Sequence, residues 1–472
     1  MSQISPSAGY SLRLLVNVRS VPGTLGKLMT AIGRAGGDLG AVDLIEHRGN
    51  VVVREITVKC RDDSHGRQII KAAQRVQGVE IRGTSDRTFD IHAGGKIGVT
   101  PKFPLRSRDD LSMAYTPGVG RVSSAIAENP ERVYDYTIKA NSVAVFTDGS
   151  AVLGLGNIGP EAAMPVMEGK AMLFKEFADI DAYPICVRAS GADEIVAVAK
   201  AISPGFGGIN LEDIAAPECF EVEARLREEI DIPVFHDDQH GTAVVVAAAL
   251  MNAARVVGRP LEDLKVVVLG MGAAGVACSK LMLKIGVGDL VGLDRHGVIH
   301  PGRGGLPPEK QWIADNTNRD GVTGDLEAAL RGANVFVGLS GPNLVKPEWV
   351  EQMSSDAIMF PMANPVPEIM PEQMPGNVRI IGTGRSDYPN QINNVLVFPG
   401  FFRGLLDIRA SSVVDAQKIA AAEALAAFVG ESELDEEYIL PSVFDRRVMP
   451  SIAEAVRIAS IEGGVAQIKT DN

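Results

Sequence analysis

The apolar run Val266–Leu269 breaks off into Gly270-Met271-Gly272-Ala273-Ala274-Gly275, and small-residue sequence of helical composition follows at once. No other feature restricts the fold as much. Three glycines at this spacing between a strand and a helix serve a tight turn, a close backbone approach to a pyrophosphate, and helix-on-strand packing. The next apolar run, Leu290–Leu293, ends in Asp294, where a carboxylate suits the two hydroxyls of an adenosine ribose. Gly270, Gly272, Gly275 and Asp294 are therefore the expected dinucleotide site. Asp294 favours NAD, because a 2′-phosphate would meet its charge, while the neighbouring Arg295 pulls toward NADP.

The same motif occurs as Gly154-Leu155-Gly156-Asn157-Ile158-Gly159, but its nearby acids, Asp179 and Asp181, precede the next strand rather than end it. It is not read as a dinucleotide loop. Strand-like runs alternate with helical sequence through the rest of the chain: Val143–Phe146, Pro184–Val187, Pro233–Phe235, Lys265–Leu269, Val291–Leu293, Val335–Val337, Ala357–Phe360 and Val395–Phe398. That alternation predicts an α/β fold with parallel sheets, the last of them a Rossmann-type doubly wound domain.

The N-terminal stretch has another rhythm. Leu12, Leu14, Val16 and Val18 alternate with polar residues, and Leu25, Leu28, Met29 and Ile32 then fall at helical spacing. Leu39–Glu46 and Val51–Lys59 read as a hairpin through Arg48-Gly49-Asn50; a helix carrying Ile69, Ile70, Ala73 and Val76 follows, and Val79–Ile91 reads as extended. The order βαββαβ is ferredoxin-like. The turn "VRSVPGTLGKL" resembles the ACT-domain signature, which implies a module that pairs through its sheets and takes a small-molecule effector. Residues 92–108, rich in Gly, Pro and basic side chains, read as a linker. The expected division is 1–91 for this module, 109–245 for a substrate and metal domain, and 246–472 for the dinucleotide domain with C-terminal helices.

With 46 basic and 59 acidic residues the net charge is −13, and no basic stripe offsets it, so nucleic acid and anionic membranes are excluded as partners. The longest apolar run, Thr242 to Ala254, is shorter than the ~18 residues a membrane span needs. The N-terminus lacks the pattern of a signal peptide, and the expected location is cytoplasmic. Cys60, Cys186, Cys219 and Cys278 lie far apart, which argues against a disulfide framework or a thiolate zinc site.

Two acid pairs have a setting unlike solvated surface. Glu212-Asp213 follows the Gly-rich "GFGGIN" and Leu211, and Asp237-Asp238 comes just after the apolar run Pro233–Phe235. Carboxylates at strand ends, without thiolates, suit Mg²⁺ or Mn²⁺. His236-Asp237-Asp238-Gln239-His240 loosely mimics the zinc motif HExxH, but with Asp in second place and at a strand-to-helix turn. In the apolar helix Glu161–Ala178, Lys170 shares a face with Val166, Met167, Leu173 and Phe174. Buried there, its ammonium would be disfavoured and its pKa lowered toward ~7–8, as suits a general base; a purely structural lysine is the other reading.

Taken together, "AYTPGV" (Ala114–Val119), "EGKAMLFK" (Glu168–Lys175), "INLED" (Ile209–Asp213), "FHDDQHGTA" (Phe235–Ala243), "ANP" (Ala363–Pro365) and "NNVLVFPG" (Asn393–Gly400) closely resemble the malic enzymes of the smaller bacterial type. The resemblance implies oxidative decarboxylation of malate to pyruvate and CO₂ with reduction of NAD or NADP. By it, Glu212, Asp213 and Asp238 bind the metal, Lys170 is the base, Tyr115 is the acid, and Asp237 tunes Lys170. Asn364 and Asn394 hold substrate and nicotinamide, and a homodimer is implied. One departure stands out. Larger members carry an Arg where this chain reads Asp148-Gly149-Ser150-Ala151, so the carboxylate grip is sought at Gly156–Gly159 or Arg188. The competing readings are a metal-independent hydroxy-acid or amino-acid dehydrogenase and a non-catalytic sensor.

Overall fold

In the computed structural model, which describes residues 6–152 and 154–468, strand β1 (Ser7–Arg19) buries Leu14, Val16 and Val18 on one face. Against that face pack Leu28 and Ile32 from α1 (Thr24–Arg34) and Ile69 and Ala73 from α2 (Asp63–Gln74). Asp62 caps α2 by accepting from the His65 N–H, which satisfies one of the helix's open donors. The hairpin β2 (Asp38–Arg48) and β3 (Val51–Cys60) and the last strand β4 (Val79–Asp86) complete an antiparallel sheet in the order β2-β3-β1-β4. The expected extension to Ile91 fails. Asp86 accepts from the Thr88 N–H and so starts a short helix, α3 (Arg87–His92). These residues form one compact unit ending at Val99; a second begins at Thr100.

The second unit opens with three short helices, α4 (Arg108–Ala114), α5 (Gly118–Glu128) and α6 (Val133–Tyr136), none of which has a buried residue. Then β5 (Ser142–Thr147), α7 (Pro160–Ala178), β6 (Asp181–Cys186), α8 (Ala192–Ile202), β7 (Gly208–Leu211), α9 (Glu218–Glu229) and β8 (Val234–His236) build a parallel sheet ordered β6-β5-β7-β8. β7 lies outside the expected runs.

Helix α10 (Asp237–Val257) follows β8 without a break and is buried on every side from Ala243 to Leu250. By length and composition it could cross a membrane. Here it is a core helix, sharing one apolar cluster with Val143 and Val145 of β5 and with Val266 and Val268 in the next strand.

That strand, β9 (Lys265–Leu269), leads through the glycine loop into α11 (Ala273–Lys284). The chain continues as β10 (Asp289–Asp294), β11 (Gly297–Val298), α12 (Pro308–Asn316), α13 (Leu326–Leu330), β12 (Val335–Gly338), α14 (Pro347–Val350), β13 (Ala357–Pro361) and β14 (Val378–Ile381). Their sheet runs β11-β10-β9-β12-β13-β14, parallel except for the short β11. The order reverses at β9, so its carboxyl end is the switch point where α/β sheets bind ligands.

The expected strand Val395–Phe398 is not one. Asn393 accepts from the Val395 N–H and caps a 3₁₀ turn, and Pro399 then sits in the first turn of α15 (Phe398–Asp407). A proline at that place is pre-set for a helix and cannot feed a sheet ladder. Two more helices, α16 (Asp415–Ala427) and α17 (Val448–Glu462), close the core.

Candidate active site

The carboxyl edge of the first parallel sheet gathers the acids. Glu212 and Asp213 directly follow β7, and Asp237 and Asp238 directly follow β8 as the first turn of α10. Asp213 takes a left-handed conformation (φ 54°), which turns its N–H to donate to Asp238 Oδ2 at 2.8 Å. Ligand atoms from Glu212, Asp213 and Asp238 all lie within 4.8 Å of one another. Asn210 on β7 donates to Glu212 Oε2 at 2.8 Å.

Lys170 on α7 reaches into this group from the side. Its Nζ lies 2.6 Å from Asp237 Oδ2 and 2.9 Å from Glu212 Oε1, and 4.4 Å from the centre of the Phe398 ring. Asn394 donates to the same Asp237 oxygen. Gly241 is obligatory beneath it, since a Cβ there would stand 1.9 Å from Asp237 Oδ1.

Four carboxylates gather beside one ammonium; Glu212, Asp213 and Asp237 are buried, and Asp238 keeps 35% of its side chain exposed. Burial pushes Glu212 and Asp237 up to about 7 and Asp238 up to about 6, with Lys170 opposing each rise. The expectation of a lowered lysine does not hold. Burial does act to lower it, but the charges of Asp237 and Glu212 outweigh burial and hold the ammonium above its ordinary value. Surplus buried negative charge on oxygen donors is the setting that a hard divalent cation compensates. Asp237 Oδ1 has no hydrogen-bond partner among the described residues.

Of the two histidines in the zinc-like stretch, His240 points elsewhere, while His236 Nδ1 lies 3.8 Å from Asp238 Oδ2. His240 Nε2 sits 2.8 Å from Glu223 Oε1 on α9, away from the acid cluster. His236 is fully buried, and burial takes its pKa down to about 4.

Other expected residues divide. Asn364 lies beside the first glycine loop, where a Cβ on Gly154 would meet the Asn364 carbonyl at 3.0 Å. Ile158 and Gly159, however, both donate their N–H groups to the Gly149 carbonyl, so these two are unavailable as an anion cradle. Arg188 is exposed and paired with Glu161. Tyr115 ends α4 with 66% of its surface exposed, outside the hydrogen bonds that join Lys170 to its neighbours. Sequence reading missed Phe398, Asn210 and Arg385, the last held 2.9 Å from the Pro365 carbonyl beside Asn364. A polar Asn210 inside a fully buried strand was the one signal available for it.

At the switch point the glycines do what the motif requires. A Cβ on Gly270 would lie 2.4 Å from the Leu339 carbonyl and one on Gly275 2.0 Å from the Gly270 carbonyl, while Gly272 faces open space. Asp294 does end β10, as expected, but Arg303 and Lys310 both hold its carboxylate.

Residues 94–192 and 188–227 match the family model "Malic enzyme, N-terminal domain", and 239–376 and 374–461 match "Malic enzyme, NAD binding domain". An NAD-dependent malic enzyme of Geobacillus stearothermophilus is 55% identical over 93% of this chain and 92% of its own length. A bifunctional malic/malolactic enzyme of Bacillus subtilis is 52% identical over 80% and 92%. The crystal structure of a malic enzyme from Pyrococcus horikoshii is 48% identical, with TM-score 0.76 over 80% of this chain and 89% of that one. The strand-end acids, the buried lysine and the glycine loop thus stand in a chain that belongs to the malic enzyme family.

Proposed function

We propose that the chain oxidatively decarboxylates L-malate to pyruvate and CO₂, reducing NAD or NADP, in a reaction that depends on a divalent metal. The observation that carries this is Lys170, buried between Asp237 and Glu212 at the rim of the three-carboxylate group. Glu212, Asp213 and Asp238 would hold Mg²⁺ or Mn²⁺, which supplies Lewis acidity toward the C2 oxygen and carboxylate of malate. Bound NAD(P), on Gly270, Gly272 and Gly275, supplies the acceptor for the C2 hydride. With a cation held there to draw off the negative charge that keeps Lys170 protonated, the lysine takes the hydroxyl proton as a neutral amine while the ketone forms. Asp237 and Asn394 hold that amine in place, and Phe398 closes its apolar side. After CO₂ leaves, Tyr115 returns a proton to C3. Asn364, with Asn394, orients substrate and nicotinamide.

A homodimer fits the helices α4–α6. Leu111, Met113, Tyr115, Val119 and Val122 are all exposed there, and neither α4 nor α5 has a buried residue. The N-terminal unit is read as an ACT-like regulator of a small-molecule effector, supported by its βαββαβ order and its β2-β3-β1-β4 sheet. Removing residues 1–93 should leave turnover intact and abolish any response to amino acids.

The deciding assay is nicotinamide reduction with L-malate, with Mn²⁺ or with chelator, scoring pyruvate and CO₂. Metal-dependent reduction with one pyruvate and one CO₂ per reduced cofactor is expected. Reduction that survives chelator and releases no CO₂ would sink the reading in favour of a plain dehydrogenase.

A further inference from the structure

The acid at the end of β10 does not stand open. Asp294 Oδ1 accepts from Arg303 Nη2 at 2.8 Å and from the His296 N–H at 2.9 Å; Oδ2 accepts from Arg303 Nη2 at 2.9 Å and from Lys310 Nζ at 2.7 Å. A carboxylate offers about four lone-pair positions, and these contacts occupy them. A ribose hydroxyl can bond to Asp294 only by displacing one of these donors.

The order of exposure matters as much. Side-chain exposure rises from 7% for Asp294 to 18% for Arg303 and 25% for Lys310. The anion lies inside and the cations lie outside, so a ligand arriving at this strand end meets guanidinium and ammonium first. Arg303 is braced by bonds to the carbonyls of Gly297 and Val298, at 3.2 and 3.3 Å. Lys310 projects from the first turn of α12. Arg295, exposed next to Asp294, adds a third positive charge to the same edge.

We propose that Arg303 and Lys310, rather than Asp294, receive the adenosine ribose, and that the chain binds 2′-phosphorylated adenosine at least as well as unphosphorylated adenosine. This rests on the reading of Gly270–Gly275 as the dinucleotide loop. Lys310 commits one of its N–H donors to Asp294 and keeps two for a 2′-phosphate. Arg303, whose Nη1 and Nη2 are taken by Gly297, Val298 and Asp294, adds its charge and its Nε–H; charge-assisted bonds of that kind are the strong ones. The repulsion that a strand-end carboxylate ordinarily exerts on a 2′-phosphate is cancelled, because two cations neutralise it before any ligand arrives.

The test is titration calorimetry on the full chain without malate or metal, comparing 5′-AMP with adenosine 2′,5′-bisphosphate. The bisphosphate should bind at least as tightly as AMP. Lys310→Met, checked for an unchanged melting profile, should weaken the bisphosphate about ten-fold or more while moving AMP less than about three-fold. Arg303→Lys keeps the charge and should retain most of the affinity for the bisphosphate. A bisphosphate bound more than about ten-fold weaker than AMP, or equal losses for both ligands in Lys310→Met, would overturn the proposal. Binding of neither ligand would overturn the dinucleotide reading of the loop, and the proposal with it.

Discussion

Lys170 illustrates what a sequence conveys about a residue and what it omits. An apolar helix face announces burial, and burial alone would lower an amine. The sign of the net effect depends on Asp237 and Glu212, which lie 67 and 42 positions away in the chain and meet Lys170 only after β7 pairs with β5 and β8 with β7. Lys170→Met and Tyr115→Phe should each lower kcat by about 10²–10⁴-fold while leaving nicotinamide affinity unchanged, as removal of an acid or base does. Near-normal turnover in either would remove that residue from the proton path. Asp294 carries a prediction about pH. Burial acts to raise its carboxyl, but Lys310, the His296 N–H and Arg303 together hold it at about 2, below the ~3.9 of an unfolded Asp. Its stabilisation is therefore complete above pH ~3.9 and is lost as pH falls toward 2. Asp294→Asn should remove that share of the acid unfolding transition, and an unchanged profile would show that the triad contributes nothing to stability.

Among elements, the inner strands β10, β9, β12 and β13 of the six-stranded sheet were legible, because continuous apolar runs between turn residues suit parallel strands covered on both faces, whereas its edge strands β11 and β14 lay outside the expected runs. Lys265–Leu269 is both the expected and the observed span. Val395–Phe398 obeyed the same pattern and became a 3₁₀ turn and a helix start, since four apolar residues cannot declare a period and Asn393 and Pro399 decided the matter. β7 was missed for the opposite reason. Asn210 interrupts its apolar run, and glycines precede it, although all four of its residues are buried. Helix crossings were not legible at all. α15 meets α17 through Gly400 and Gly404; a Cβ on Gly404 would lie 2.4 Å from the Ala453 carbonyl and 2.8 Å from Val456 Cβ. Gly404→Val should destabilise the chain by about 1–3 kcal/mol through overpacking. A melting temperature equal to that of the parent would contradict the close crossing.

For the whole molecule, the sequence located the site at strand ends but not the geometry between its parts, because the acids, the lysine and Asn394 come from four separated stretches. Assembly is a property of the same scale. If α4–α6 are covered by a second copy, Met113→Asp combined with Val122→Asp should halve the mass seen by sedimentation. Turnover should fall with it if Tyr115 needs that packing. A fully active monomer would separate the helices from the catalytic role given to Tyr115.

Helix α10 has one more consequence. Its first turn supplies Asp237 and Asp238, and its body lies against α11, the helix that the glycine loop starts. Ion and dinucleotide would thus press on two members of a single rigid stack. Any tilt of α11 on taking up a nucleotide moves the anchor points of the cation, and thermodynamic reciprocity then fixes the exchange. By whatever factor the dinucleotide alters the affinity for Mn²⁺, Mn²⁺ must alter the affinity for the dinucleotide by the same factor, and one helix seam would carry that coupling.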